Sequence, residues 1–595
     1  MLEQIIRSHG IRLRGSTANL DATEQARDLT DLCEYLDGAL TLDASLNFDQ
    51  DGEMRYIGPS SGRLEFQAIF EGQDGAETET ESSNPTHRSA HTRTRDEFYN
   101  SNRFLQTIME DDAVDEELVS HLLDLYFIWE NPWFPVVNEA LFRSSWAEGG
   151  RYFSPLLLYC ILASGSRFSD RPEVRSDPDD SNTAGKLFVE KAEILLHYDL
   201  KWPSITTIQS LAIMTTVYHS MGADAAGWLR QGMASRLALD TGMNIDPALL
   251  PGNVSLPPEE FNLRRQIYWA LYFHDKLAAS YTGRVCTLLD SQSIIKLPSY
   301  SNTVLSHSVG RCGPFERRTS TQLLIAMTSL CQIIEKVLQS LWALRPLMGD
   351  VQRSEFFTSC LLELKTWFYD LPSYLRIDKR NELPQVYTMH MVYHTAFILL
   401  AKPFIKNLPE NSASSYPEVW SKAKELCQES AKATYLIAQK YRNEFGSFRL
   451  SPITATYCTL SAALALLDDI GSDSGERESN FHNTGVETCL KVLEELSTSW
   501  NPAKRIWSNL NRLYERARAK HGRTTEPDIL GKVTIDPSSL DLSYFQGYED
   551  IFGALSHDNV SESENIGPSF PSNALSSDYI MLSKTGELQY YGYSS

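Results

Sequence analysis

Apolar side chains recur at helical spacing through most of the middle of this 595-residue chain, and this periodicity constrains the fold more than any other feature. The first clear example is Leu118, Leu122, Leu125 and Trp129, with acids and serine between them. Strand-like alternation between turn signals is missing from the sequence of the same region. The chain is therefore predicted to fold as an all-α, multi-helix body.

Signals at helix ends support this prediction. Pro155 suits the first turn of a helix that follows Ser154, and Thr206 and Gln209 have the spacing of a capping box. Gly242 is placed to end a helix over 225–241. Further helices are predicted at 262–281, 319–346, 354–370, 386–402, 416–444, 451–469, 484–499 and 502–520.

The helix over 225–241 carries two sets of residues that suit packing. Leu229, Met233 and Leu237 form an apolar stripe, which we expect to be buried. The small residues between them, such as Gly227 and Gly232, would let another helix approach closely.

Nearly all of the net charge of −23 lies at the two ends of the chain. Residues 1–115 hold 23 acids and 10 bases, residues 526–595 hold 11 acids and 2 bases, and the middle holds 43 acids and 42 bases. A neutral centre between acidic ends is typical of a packed body with solvated arms. It does not favour nucleic-acid binding by the body, although a local basic patch is compatible with a balanced total.

These patterns divide the chain into four regions. Residues 1–115 are predicted to be a mostly disordered acidic linker, because 71–97 contain no apolar side chain larger than alanine apart from one proline. Residues 116–405 are the main helical domain and 406–525 its helical extension. Residues 526–595 are predicted to be a disordered acidic and aromatic tail.

Composition also limits the cellular setting. The nine cysteines are scattered singly, which fits reduced thiols and not a disulfide framework or a zinc module. No apolar run reaches the ~20 residues of a membrane helix, and the first residues lack the apolar stretch of a signal peptide. We therefore predict an intracellular protein without a membrane partner.

No common catalytic motif is found in the sequence, and two groups of candidate metal ligands have structural alternatives. His390 and His394 lie four residues apart on a predicted helix, but their surroundings are apolar and favour histidines within a core. Asp177, Asp179 and Asp180 lie in a polar loop, where a weak cation site competes with a solvated loop. We predict that the chain is not an enzyme.

The segment that starts at Arg264 and Arg265 and ends at Arg284 combines buried helix with charge. Its middle is apolar on nearly all sides, so Asp275 needs a partner within the protein. Arg284, which follows a turn at Gly283, is predicted to pair with Asp275. The alternative is that these charges line a ligand pocket.

Several separated segments together resemble a known family. They are LDLYFIWENPWFPVVNEALFR (123–143), FSPLLLYCILASGSRFSDRPEVRSDP (153–178), WPSITTIQSLAIM, GWLRQGMASRLALDTGM, RRQIYWALYFHDKLAASYTGR, MHMVYHTAFILLAKPF (389–404) and, further upstream, YIGPSSGRLEF (56–66). They resemble the fungal-specific transcription factor domain, close to the type in nitrate-assimilation regulators and xylanolytic activators. The domain accompanies a binuclear zinc cluster in fungal activators and repressors.

The resemblance implies core roles for Trp228, Trp269 and Gly283. It also implies regulation of RNA polymerase II transcription in the nucleus, with a small-molecule effector as one partner. The family's zinc cluster uses six cysteines to hold two zinc ions and to contact DNA, but this chain has no C-x2-C and its first cysteine is the isolated Cys33. DNA binding is therefore expected only through a cluster that these residues lack, and no cofactor is expected in them.

Two explanations for the missing cluster stay open. The chain is either an incomplete gene product whose DNA-binding part lies upstream, or a helical adaptor or corepressor that acts through other factors. The segment MLEQIIRSHGIRLRG resembles the stump of a dimerising linker, which leaves homodimer formation open.

The tail offers a second route to partners. Its segment 541–555, DLSYFQGYEDIFGAL, interleaves acids and aromatics as transcriptional activation segments do, and would contact the transcription machinery or coregulators. The alternative is an ordinary tail. Basic residues over 512–523 suit either nuclear import or a solvated helix face.

Overall fold

Helical periodicity in the sequence corresponds to helices in the computed structural model. The structure describes residues 45–48, 54–57, 105, 115–249, 256–298, 314–343, 345, 347–377, 383–406, 417–469 and 476–521. Within these residues the α-helices are α1 Glu116–Leu125, α2 Glu139–Glu148, α3 Pro155–Ser166, α4 Lys186–Asp199, α5 Ile205–Ser220, α6 Asp224–Asp240, α7 Pro258–Thr282, α8 Pro314–Leu341, α9 Asp350–Tyr369, α10 Gln385–Lys406, α11 Pro417–Phe445, α12 Thr454–Asp469, α13 Glu476–Leu496 and α14 Asn501–His521. The predicted all-α fold class is confirmed.

Capping residues start and end these helices for local chemical reasons. Ser154 accepts a hydrogen bond from the Leu157 amide at 3.1 Å, directly before Pro155. Gly242 follows α6 with a φ of 67°, as expected for a glycine that ends a helix.

The predicted capping box of α5 is wrong. Ser204 follows Pro203 in extended conformation, so it is the capping residue, and its amide donates to the Thr207 hydroxyl at 3.0 Å. Gln209, predicted for this role, instead donates from Nε2 to the carbonyl of Val136 at 2.8 Å.

Small side chains, and not the predicted apolar stripe, form the buried face of α6. Gly227, Ala234 and Ala238 are buried against neighbouring helices, whereas Leu229 is 58% exposed. A Cβ atom on Gly227 would lie 2.4 Å from the ring of His219, so α5 and α6 approach too closely for larger residues. Close approach of two backbones therefore outweighs the burial of the stripe.

The helices pack in two connected groups. In the first half of the chain α3 packs on α4 and α5, and α5 packs on α6. In the second half α10, α11 and α12 contact one another, and α13 lies against both α12 and α14. Helix α7 packs on α8, and α8 in turn contacts α10.

A buried arginine joins the start and the end of this body. Arg167, at the end of α3, donates to the carbonyls of Asn182, Ala184, Ser220 and Ser499. Burial lowers the pKa of Arg167 to about 10, which still leaves it charged at neutral pH. The turn before α14 is thus fixed to helices more than 270 residues earlier.

One short β-hairpin is described in the N-terminal region that we predicted to be mostly disordered. Strands β1, Ser45–Phe48, and β2, Met54–Ile57, pair antiparallel. Apart from these strands and Leu105, residues 1–114 lie outside the described residues, and so does the predicted linker over 71–97. The whole predicted tail 526–595 also lies outside the described residues.

One segment, Thr319–Leu341 of α8, is long and apolar enough to cross a membrane. More than half of it is buried within the protein, a property that core helices share. The expectation that the chain has no membrane partner stays a prediction.

Two glycines of α6 offer a matched test of the close helix contact. Gly227→Ala should lower stability by about 1–3 kcal/mol, because the new methyl group would overlap the buried His219 ring. Gly232→Ala, which meets no atom within 4 Å, should raise stability by about 0.5–1 kcal/mol through helix propensity. Urea unfolding of both variants measures this, and equal effects would contradict the packing described.

Candidate functional site

Helix α7 carries the charged residues that the sequence singled out. Arg264, Asp275 and the indole of Trp269 are all buried, while Arg265 is half-buried. The indole of Trp269 donates to the carbonyl of Lys296 at 3.1 Å. Two buried clusters of charge lie on this helix, one near each end.

The first cluster lies around Glu260 at the start of α7. Arg264 Nε donates to Glu260 Oε1 at 3.0 Å, and Arg151 lies 3.1 Å from the other carboxylate oxygen. Burial alone would raise the pKa of Glu260, but the two guanidinium groups outweigh it and hold the pKa below its ordinary value. Arg265 pairs separately with Asp246 at 3.3 Å.

The second cluster centres on Lys276, whose side chain is fully buried. Its ammonium lies 3.0 Å from Asp275 Oδ2 and 3.2 Å from Glu335 Oε2 on α8, and it donates to the carbonyl of Leu288. The Tyr272 ring lies beneath it, 4.3 Å from Nζ. Burial alone would lower the pKa of Lys276, but the adjacent carboxylates outweigh burial and raise it.

Asp275 is therefore balanced by a lysine and not by Arg284, so the predicted pair is wrong. Asp275 Oδ2 also accepts the amides of Thr287 at 2.8 Å and Leu288 at 3.2 Å. Gly283 ends α7 with a φ of 68°, and after this turn the chain brings its amides, not its arginine, to the carboxylate.

Arg284 extends toward the start of α6. Its Nη1 donates to the carbonyl of Asp224 at 2.9 Å, and its guanidinium lies 5.1 Å from the Trp228 ring centroid. Trp228, expected in the core from the family resemblance, is 39% exposed. Trp228 lies on the exposed side of α6 near the start of the helix, because the small residues of α6 form its buried face.

A stack of rings lies between α5 and α7. His274 stacks on Phe134 at 4.6 Å and lies nearly parallel to His219 at 6.2 Å. His274 Nδ1 bonds Gln231 Oε1 at 3.1 Å, whereas neither ring nitrogen of the buried His219 has a partner among the described residues. Burial lowers the pKa of both imidazoles, to about 3 for His274 and about 4 for His219, so both stay neutral.

The aromatic and proline-containing loop after α1 is fixed by three glutamines, whose contacts with this loop were not predicted from the sequence. Gln209, Gln266 and Gln385 come from α5, α7 and α10, and each donates to a carbonyl of residues 128–136. The loop begins with a π-helical turn, Tyr126–Glu130.

The last residue of this turn is a buried acid. Glu130 is 3% exposed and its Oε2 has no hydrogen-bond partner among the described residues. Burial therefore raises its pKa to about 7.

Three of the five candidate metal ligands accept or share hydrogen bonds within the protein. His390 bonds the carbonyl of Leu375 at 2.8 Å, and His394 is buried four residues later. Asp177 and Asp180 accept amides of their own loop. No group of three or more metal-ligating side chains occurs in the part of the chain that the structure describes.

Taken together, the buried charges bind other groups of the protein and connect helices. The sequence contained one signal for Lys276, since a lysine next to Asp275 in an apolar helix also needs a partner. Glu335 gave no such signal, because an acid in an amphipathic helix is ordinarily solvated.

Comparison with known protein families identifies the helical domain. Residues 123–371 match the fungal specific transcription factor domain. The chain contains that domain. The match lies inside the region 116–405 that we predicted from the sequence.

Curated relatives carry the same kind of name. The chain is 30% identical over 409 residues to the nitrogen assimilation transcription factor nirA of Emericella nidulans, covering 66% of this chain and 44% of the relative. It is 26% identical over 416 residues to the nitrogen assimilation transcription factor nit-4 of Neurospora crassa, covering 65% of this chain and 36% of the relative. The activatory protein CHA4 of Saccharomyces cerevisiae is 24% identical over 379 residues, covering 59% and 54%.

The chain thus spans less than half the length of its first two relatives. The domain and the relatives' names are those of transcription regulators, which confirms the prediction that the chain is not an enzyme.

Replacing Lys276 tests the buried cluster on the fungal specific transcription factor domain. Lys276→Met leaves two buried carboxylates without a cation and should cost about 3–5 kcal/mol of stability at pH 7.5. Lys336→Met, which removes a surface ion pair between α8 and Glu363 of α9, should cost less than about 1 kcal/mol. Urea unfolding at pH 7.5 measures these changes, and similar losses in the two variants would contradict the cluster's role.

Glu130 predicts that stability depends on pH. Its pKa is raised from 4.5 to about 7 in the folded protein, so its contribution to stability falls as pH rises from about 4.5 to about 7. Glu130→Gln should therefore stabilise the protein at pH 8, by about 3 kcal/mol from that shift, and change little near pH 4.5. The exposed Glu515→Gln serves as a control. A Glu130→Gln effect that does not vary with pH would show that this carboxyl titrates normally.

Proposed function

We propose that this chain is the regulatory region of a fungal transcription regulator that controls RNA polymerase II transcription in the nucleus. The observation that carries the proposal is the domain match over 123–371, supported by relatives that are named as transcription factors. The buried charge clusters stabilise a helical body, because the Lys276 cluster joins α7 to α8 and the Glu260 cluster joins α7 to the turn before α3.

Sequence-specific DNA recognition belongs, in this proposal, to a zinc cluster with two zinc ions that these residues do not form. The chain has no C-x2-C pair from which such a cluster is built. The helical body would respond to a small-molecule effector or a coregulator.

The acidic tail 526–595 supplies the contact with the transcription machinery in this proposal. Its eleven acids keep the aromatics of 541–555 in water until a partner offers an apolar groove. Regulation of the tail by the helical body would then set the transcriptional output.

A reporter assay tests the tail directly. Residues 526–595 fused to an unrelated DNA-binding domain should activate the reporter. Alanine at the four aromatics Tyr544, Phe545, Tyr548 and Phe552 should abolish most of that activity, because they are the proposed apolar anchors.

The matched control replaces Tyr590, Tyr591 and Tyr593 by alanine, since these aromatics lie outside the densest segment. No activation by the fusion would remove the tail from the proposal. Exclusion of the tagged full chain from nuclei would contradict the proposed location and favour a helical adaptor elsewhere in the cell.

A further inference from the structure

The outer face of α14 carries a row of arginines. Ala503, Leu510 and Tyr514 bury one side of this helix against the body. Arg505 and Arg512 are exposed on the opposite side. Arg516 is exposed beside them, and at 3.6 residues per turn the three guanidinium-bearing positions lie within about 40° of one another.

The cations of this row have no carboxylate partner among the described residues. Arg512 donates only to the carbonyl of Ser508 at 3.3 Å and to Asn509 Oδ1 at 2.6 Å. Elsewhere on the body, arginines such as Arg230 and Arg442 lie 2.7–2.8 Å from carboxylate oxygens. The row is therefore a set of unused positive charges on a chain of net charge −23.

The outward-facing polar groups of the row are hydrogen-bond donors and not acceptors. Because Asn509 Oδ1 accepts from Arg512, the amide NH2 of Asn509 is left to face outward with the guanidinium groups. Positions 505, 509, 512 and 516 follow one another at intervals of about 4.5–6 Å along the helix axis and span about 16 Å. We call these four residues the arginine row.

We propose that the arginine row binds the phosphate backbone of nucleic acid without sequence preference. A regular line of identical anions matches a regular line of donors, and arginine binds phosphate in a bidentate manner. An exposed helix also fits a DNA groove, where neighbouring phosphates lie on both sides. An acidic peptide is the competing ligand, but its carboxylates have no fixed repeat.

The charges around the arginine row limit its affinity for nucleic acid. Lys504 and Arg518 are exposed on other sides of the helix, about 100° and 140° from the centre of the row, while Glu515, the acid of this helix, lies about 80° away and opposes binding. The acidic ends of the chain repel nucleic acid at a distance. The contact would therefore be an auxiliary one, measurable at low salt, and it does not depend on the proposed function of the tail.

Fluorescence anisotropy of the full chain with a labelled random-sequence duplex of about 20 base pairs tests this proposal. Binding at about 50 mM salt should weaken with a log–log slope of about −3, since three arginines displace counterions. The triple variant Arg505→Gln, Arg512→Gln, Arg516→Gln should bind at least about tenfold more weakly and lose most of the salt slope.

A control variant with the same charge change, Lys186→Gln, Arg236→Gln, Lys422→Gln, removes exposed cations from other helices and should bind like the parent chain. Urea unfolding confirms that both variants are folded. Three results would overturn the proposal: no duplex binding by the parent chain, equal weakening in both variants, or capture of poly-L-glutamate but not of duplex, which would assign the row to acidic peptides.

Discussion

The buried ammonium of Lys276 is the interaction on which the centre of this structure depends. It lies between Asp275 of its own helix and Glu335 of α8, and Asp275 in turn accepts two amides of the loop that follows α7. One cation thus fixes the positions of two helices and a loop. Two buried carboxylates would be too costly without it, so helix α7 can carry charge in an otherwise apolar segment only with this partner.

The same principle is repeated elsewhere in the body. Arg167 holds the turn before α14 through carbonyl oxygens, and Glu260 gathers Arg151 and Arg264 at the other end of α7. These contacts join segments that are far apart in sequence, so the helices that follow the matched domain pack on the helices of that domain. The surface is used differently, because the arginine row of α14 points outward with its charges unpaired among the described residues.

The helices could be predicted from the sequence because their periodicity and caps are local. The polar partners could not, because a partner is chosen by tertiary packing. Asp275 correctly signalled a buried ion pair, but the turn at Gly283 sends Arg284 to α6 and leaves the adjacent lysine as the partner. Trp228 was expected in the core from the family resemblance, whereas α6 buries small residues that permit close helix approach. Size alone does not decide which face of a helix is buried.

Amide hydrogen exchange of the unmodified chain tests the central role of the Lys276 cluster most directly. The amides of Thr287, Leu288 and Asp290 lie outside the α-helices, yet they donate to Asp275 and Glu335. We expect them to exchange as slowly as amides in the middle of α7, because they open only when the cluster breaks. Exchange as fast as that of the exposed residues next to them would contradict the account.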